Sequence, residues 1–230
     1  SLAEVEAARA SGRLRELPDK TGFLLADDFP QGTKPKAPEP AAAAPFEALR
    51  ECLATGVEVV TAANLFPTPP ELAAKMLDAA DIPPGAYVLE PSAGTAALVR
   101  EIMQRAPDCR LVLVESNAKL ARLLAERWPK AATFCEDFLQ FKPTVRPGFD
   151  RILMNPPFDH GSDIEHIRHA MKHLAPGGRL VALCADGPKQ REAFALPELV
   201  RYLPLPAGSF SSQGTDVNVA LVIIERPLGG

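Results

Sequence analysis

The chain has 230 residues, 47% hydrophobic and 23% charged, and carries a net charge of −4. That is room for one α/β domain with an extension and a sizeable core, and it argues against a free-standing basic nucleic-acid binder, so contact with a polyanion needs a local patch or a partner. The scattered cysteines Cys52, Cys109, Cys135 and Cys184 include no C-x-x-C pair, which speaks against a disulfide frame or a zinc site. No apolar stretch is long enough to span a membrane and no secretory signal is visible, so a cytoplasmic chain without a membrane partner is expected. A start at Ser1 rather than Met is expected of a processed or trimmed chain.

Residues 1–45 differ from the rest. "SLAEVEAARASGRLREL" fits one polar helix, and prolines 30, 35, 38, 40 and 45 then give the composition of an extended linker. This part is expected to be a loosely attached Pro/Ala-rich arm, with residues 46–230 as the folded domain. "FEALRECLATG" is a short helix closed by Gly56. "TPPELAAKMLDAADI" is a helix with Thr68 as N-cap and proline in its opening positions. Strands at 86–90, 110–115, 132–136, 149–155, 178–184 and 217–225 follow, with helices after the first, the second and the fourth. Continuous apolar strands joined by helices predict a doubly wound α/β fold, a mostly parallel sheet with helices on both faces.

Ligands of such sheets sit at the carboxyl ends of strands. In "YVLEPSAGTAALV" the strand ends at Glu90, and the small turn Ser92-Ala93-Gly94-Thr95 leads into a helix. Small residues admit a ligand to the backbone, and the helix N-terminus offers free N–H groups. The turn is not G-x-G-x-x-G, and by itself it fits a plain tight turn equally well. Glu115, before Ser116, ends the second strand, where an acid is placed to accept ribose hydroxyls; a charge or cap opening the next helix is the other reading. After the third strand, Asp137 is placed to accept from an adenine amine and Phe138 to cover the ring. Three consecutive strand ends thus supply groups for one adenosine.

The fourth strand runs into Asn155-Pro156-Pro157-Phe158. Asn155 offers an amide oxygen, and Pro156 has a carbonyl but no N–H, so that corner can only accept. Two fixed acceptors aimed at one point suit an NH2 group. They draw its lone pair out of ring conjugation and turn it toward an electrophile. Phe158 is placed to stack on the ring that bears the amine, and the prolines hold the geometry rigid. A stiff turn alone would account for the prolines but not for Asn and Phe together.

"EPSAGT", "VES", "EDF" and "NPPF" at these spacings resemble the class I S-adenosylmethionine-dependent methyltransferases, above all the amino-methylating, N6-adenine-specific DNA methyltransferases of phage and plasmid type. The resemblance covers about residues 60–226. It implies a Rossmann-like seven-stranded sheet, S-adenosylmethionine as cofactor and adenine in nucleic acid, DNA rather than RNA, as substrate. It implies that Phe66, Thr68 and Pro69, in "LFPTPPELAAKML", lie near the methionine end of the cofactor. It likewise gives Glu90, Ser92 and Gly94 the methionine side, Glu115 the ribose, and Asp137 and Phe138 the adenine, with Ala93, Thr95 and Ser116 also in the cofactor site. Asn155, Pro156, Pro157 and Phe158 become the catalytic turn, with Asn155 also beside the cofactor. "NPPFDHG…HLAPGG" also resembles ribosomal-RNA guanine-N2 methyltransferases, and related motifs act on protein glutamine amides. A non-catalytic subunit with this fold is a further alternative.

The family usually has Gly where this chain has Ala96, so crowding of the cofactor or of the strand–helix packing is expected there. No target-recognition domain of ordinary size is visible, so a specificity-providing partner subunit, a single-stranded substrate or relaxed specificity is expected. His166, His169 and His173 share one helical face, read as a face beside the substrate mouth rather than a metal site. Lys142, Arg146, Arg151, Lys189, Arg191 and Arg201 are candidates to meet a phosphate backbone. "SFSSQGT" (209–215) reads as a lid or a hairpin loop.

Overall fold

The computed structural model describes residues 14–16, 23–25, 67–143, 145, 147–195, 200–210 and 217–228. The chain divides into two compact units, Ser1–Ala43 and Ala44–Gly230. In the first, β1 (Leu14–Glu16) pairs antiparallel with β2 (Phe23–Leu25). The polar helix expected through residue 17 is therefore a strand at its end. Gly12, which disfavours a helix by about 1 kcal/mol relative to Ala, stands just before the change. The helix expected at 46–56, Phe66 and Arg146 lie outside the described residues.

The second unit carries α1 (Pro70–Ala80), β3 (Tyr87–Glu90), α2 (Ala97–Arg105), β4 (Arg110–Val114), α3 (Ala118–Arg127), β5 (Ala132–Phe134), β6 (Phe149–Met154), α4 (Ser162–Met171), β7 (Leu174–Ala185), α5 (Pro188–Ala193), β8 (Val200–Pro204) and β9 (Val219–Glu225). The sheet order is β5-β4-β3-β6-β7-β9-β8. The pairs from β5 to β7 are parallel, while β9 is antiparallel to both β7 and β8. This is the expected mostly parallel seven-stranded sheet. The seventh strand is β8, which "VRYLP" conceals: it lies at the sheet edge, is largely exposed, alternates poorly and ends in proline. β7 also starts four residues earlier than expected, because Pro176-Gly177-Gly178 reads as a turn yet is built into the strand.

Strand residues alternate between two cores. Val88, Leu113, Leu153, Val181 and Leu221 join α1 and α2 on one face. Leu89, Val112, Ile152, Met154, Leu180 and Val222 join Ile167 and Ala170 of α4 on the other. Period-two alternation of residues that are apolar on both sides is why the strands read as unbroken hydrophobic runs.

The helix starts differ from expectation in one instructive place. Thr68 is not the N-cap of α1; Pro69 is, and its carbonyl accepts from the N–H groups of Leu72 at 3.0 Å and Ala73 at 2.9 Å. The Thr68 hydroxyl is turned away from the helix, toward Asn155. At the other end, Arg151 Nε donates to the carbonyls of Ala80 (2.6 Å) and Asp81 (3.0 Å), and Arg179 to that of Ala79 (3.0 Å). Two guanidinium groups thus close the carbonyl end of α1, where the helix dipole favours cations. Arg151 is therefore a structural clip and not a phosphate contact, because it stands near the start of β6, away from the strand's carboxyl end.

Gly148, just before β6, has φ +138°, and a Cβ there would lie 2.7 Å from the backbone of both His173 and Ala175. Backbone atoms cannot swing aside as a side chain can. Gly148→Ala is expected to cost roughly 3 kcal/mol of stability, measured by urea unfolding; a loss under about 1 kcal/mol would show that this crossing yields readily.

Candidate active site

The chain leaves β3 toward β4 on one side and returns to β6 on the other, which opens a crevice at the carboxyl ends of these two neighbours. A cleft of about 210 Å3 occupies it. Glu90, the last residue of β3, lies in its wall and is 2% exposed. One carboxylate oxygen, Oε2, has no hydrogen-bond partner among the described residues. Burial holds this carboxyl well above the usual carboxylate range, Glu115 adds to the rise, and Arg100 opposes it. A buried acid of this kind is costly in its charged form unless a cation reaches it.

Glu115 follows β4 and ties two turns together. Its Oε2 accepts from the N–H of Gly94 at 2.7 Å, and its Oε1 from that of Asn117 at 2.8 Å. Asn117, not Glu115, is the N-cap of α3. The glutamate therefore pulls the Ser92–Thr95 turn toward the end of β4, and each of its oxygens keeps further acceptor capacity. Beyond β5, Asp137 is exposed and caps the short helical turn Phe138–Gln140 by accepting from Leu139 N–H. Phe138 is buried. Its ring lies 4.8 Å from His169 and 5.9 Å from His166.

Only His166 and His169 lie on α4; His173 follows its end, so the expected shared helix face holds for two of the three, and they are used separately. His166 lines the cleft and is 2.8 Å from the Ser162 carbonyl through Nδ1; that oxygen can only accept, so Nδ1 carries the proton. His169 and His173 meet through Nε2 at 3.1 Å behind Phe138. Burial, His169 and Lys172 push His173 down to about 4. Among the described residues no group of three His, Cys, Asp or Glu is arranged to hold a metal ion.

Across from Glu90, at the end of β6, Asn155, Pro156, Pro157 and Phe158 line the same cleft. Asn155 Nδ2 donates to Thr68 Oγ1 at 3.1 Å. Phe158 stands edge-on to the fully buried Phe210, with ring centroids 6.3 Å apart. This gives Phe210 a place behind the turn, while residues 211–215 of the expected lid lie outside the described residues.

The structure thus brings together Thr68, the Glu90-to-Thr95 turn, Glu115, Ser116, Asp137, Phe138 and the Asn155–Phe158 turn around one cavity. Pro69 is not among its lining residues; its carbonyl starts α1. Ala96 does not crowd the cleft either. Its methyl is 1% exposed within the core shared with α1, while its backbone takes φ +68°, a left-handed conformation that is costly for any residue with a Cβ. Sequence reasoning missed Leu98, Leu120 and Glu136 as lining residues. Leu98 and Leu120 sit on the first turns of α2 and α3, where helix periodicity marks them as core, and Glu136 stands beside the acid that drew notice. Arg191 is engaged by Asp186 at 2.8 Å rather than held ready for a phosphate.

Comparison with known proteins agrees with this architecture. The profile of the methyltransferase small domain matches residues 71–202, more than half of the chain, and the chain belongs to that family. A Shewanella amazonensis protein named Ribosomal RNA large subunit methyltransferase G is 29% identical over 140 residues, 54% of this chain and 36% of that protein. The chain thus spans about a third of that relative's length. Among solved structures, a Listeria monocytogenes protein described as a class I S-adenosylmethionine-dependent methyltransferase aligns with a TM-score of 0.59 at 18% identity, over 79% of this chain and 67% of that one. A Vibrio vulnificus protein described as a modification subunit of a type I restriction enzyme aligns with a TM-score of 0.63 at 18% identity, over 79% of this chain and 48% of that one. These likenesses show a Rossmann-like methyltransferase fold.

The cofactor of this family is S-adenosylmethionine. The cleft fits it on one observation above all: a buried carboxylate oxygen without a partner suits a ligand that carries an ammonium and a sulfonium.

Glu90 also makes a prediction about the protein without ligand. Its folded pKa is raised, so the unfolded state ionises first as pH rises. Below the unfolded value of about 4.5 the carboxyl is neutral in both states and carries no penalty. Above it, folding is increasingly opposed until the folded carboxyl also ionises. Glu90→Gln is therefore expected to be more stable than wild type in urea unfolding near pH 8, with the gap closing toward pH 4. A gap that is constant with pH would contradict the assignment.

Proposed function

We propose that the protein transfers a methyl group from S-adenosylmethionine to the exocyclic amine of adenine in nucleic acid, DNA in the first instance, by direct displacement. The observation that carries this reading is that Asn155, Pro156 and Phe158 line the same cleft as Glu90 and Glu115. An amine-orienting turn and an adenosine-binding wall thus share one space.

When bound, the cofactor supplies an electrophilic methyl on a sulfonium. Glu90 takes its ammonium, with the Ser92–Thr95 turn offering backbone N–H groups to its carboxylate. Glu115 accepts the ribose hydroxyls with the lone pairs that Gly94 and Asn117 leave over. Asp137 accepts from the adenine amine, and Phe138 bounds the ring. On the acceptor side, Asn155 Oδ1 and the Pro156 carbonyl each accept one proton of the substrate amine. This turns the nitrogen lone pair toward the methyl. Phe158 stacks on the base and is held edge-on by Phe210. The new N–C bond forms as the S–C bond breaks, and the amine proton leaves to water. No side-chain nucleophile takes part.

One observation favours a second acceptor. The Shewanella amazonensis relative is named as a ribosomal RNA methyltransferase, so the same turn reading guanine N2 in RNA is the alternative. The turn chemistry is identical in both, since each substrate presents a planar amine. With a net charge of −4, contact with the nucleic acid calls for a local patch or a specificity-providing partner in either case.

The test is transfer of labelled methyl to separate pools of duplex DNA, single-stranded DNA, ribosomal RNA and protein, followed by identification of the product. Label in N6-methyladenine supports the first reading, N2-methylguanine the second, and methylglutamine would replace both. Asn155→Ala is expected to lower transfer at least roughly a hundredfold with cofactor affinity changed by less than about twofold. Full activity in that variant would remove Asn155 from the reaction. Glu90→Gln is expected to weaken cofactor binding by roughly tenfold to a hundredfold, read by calorimetry; unchanged affinity would remove Glu90 from the ammonium site.

A further inference from the structure

The side chain of Asn155 has two chemically opposite ends, and only one serves. With the oxygen turned to a substrate amine, acceptor meets donor. With the nitrogen turned there, donor meets donor and the amine is pushed away. Backbone rigidity from Pro156 and Pro157 does not choose between these rotations, because both are available to the side chain of Asn155. A choice needs a partner that takes the nitrogen end.

In this structure Thr68 takes the nitrogen end: its hydroxyl, which could also donate, here accepts from Nδ2. It is 6% exposed, and its Oγ1 lies 3.1 Å from Asn155 Nδ2. Its hydroxyl is not spent on capping α1, which has no side-chain cap hydrogen bond. Its position is set from a distance. Arg151, near the start of β6, bonds the carbonyls of Ala80 and Asp81 at the end of α1, while Asn155, just past the end of β6, bonds Thr68 just before its start. Helix and strand are clipped to each other at both ends, so Thr68 has little freedom to drift from Asn155.

We propose, on the amine-methylation reading above, that Thr68 is a positioning residue for catalysis: it holds Asn155 by its nitrogen and so keeps Oδ1 turned toward the substrate amine. Donation through Nδ2 also polarises the amide and makes Oδ1 a better acceptor. Thr68 thereby governs the chemical step, a role distinct from contact with the cofactor.

Thr68→Val and Thr68→Ser separate these roles. Valine keeps the shape and removes the hydroxyl, and serine keeps the hydroxyl. Three quantities are measured on the full chain. They are the S-adenosylmethionine dissociation constant, the saturated transfer rate with the pool that accepts label from wild type, and the NMR signals of the Asn155 side-chain NH2. Thr68→Val is expected to lower the saturated rate by about tenfold. Its cofactor affinity should stay within about twofold of wild type, and its Asn155 NH2 signals should move. Thr68→Ser is expected to restore both rate and signals. A wild-type rate in Thr68→Val, a loss of cofactor affinity that matches the loss of rate, or unmoved Asn155 signals would each overturn the assignment. The NMR comparison decides even where no pool accepts label. Full activity of Asn155→Ala would instead strike the function itself and leave the NMR result standing, so the two failures are distinguishable.

Discussion

The site depends on one topological constraint: β3 and β6 are hydrogen-bonded neighbours, but the chain leaves β3 toward β4 on one side and leaves β6 toward β7 on the other. Among the described residues no connection crosses their carboxyl ends, so a crevice opens there. Register then places the chemistry. Val88 pairs with Arg151 and Leu89 with Ile152. Continuing that pairing sets Glu90 level with Leu153, and Asn155 falls two residues further out, about 7 Å along the strand direction. An acid for the cofactor and an amide for the acceptor are thus staggered by one pleat repeat.

The crevice is kept at some expense to stability. Glu90 is buried with one oxygen unpartnered, and Ala96 is held at φ +68° as the turn enters α2. Both run against the rules that make a resting fold stable, and both flank the Ser92–Thr95 turn. The surrounding sheet offsets them. Two apolar layers pack against its faces, and Arg151 and Arg179 close the end of α1. Glu115 adds a local tie by accepting two backbone N–H groups from successive turns. The same carboxylate therefore serves folding before it serves any ligand.

Much of this was legible in the sequence, for identifiable reasons. Six strands showed as apolar runs because both faces of the sheet are covered, and their ends named Glu90, Glu115, Asp137 and Asn155. β8 did not show because an edge strand has no second neighbour and no need of an apolar run. Thr68 was misread as a helix cap because a hydroxyl before Pro-Pro-Glu fits that pattern locally; its true partner is 87 residues away in sequence. Ala96 was read as a threat to the cofactor because spacing cannot tell which way a methyl points, and it points into the core. Phe210 drew no notice as a single aromatic in a polar segment, and only the packing against Phe158 gives it meaning.

The central claim is that one cleft holds the cofactor and presents the substrate amine to it. The most direct measurement is a crystal structure of the protein with S-adenosylhomocysteine. The account predicts the amino group of the ligand on Glu90, its ribose hydroxyls on Glu115, its adenine beside Phe138, and its sulfur facing Asn155 across open space sized for a methyl and an amine. A ligand bound outside this cleft, or one whose sulfur faces away from Asn155, would contradict it.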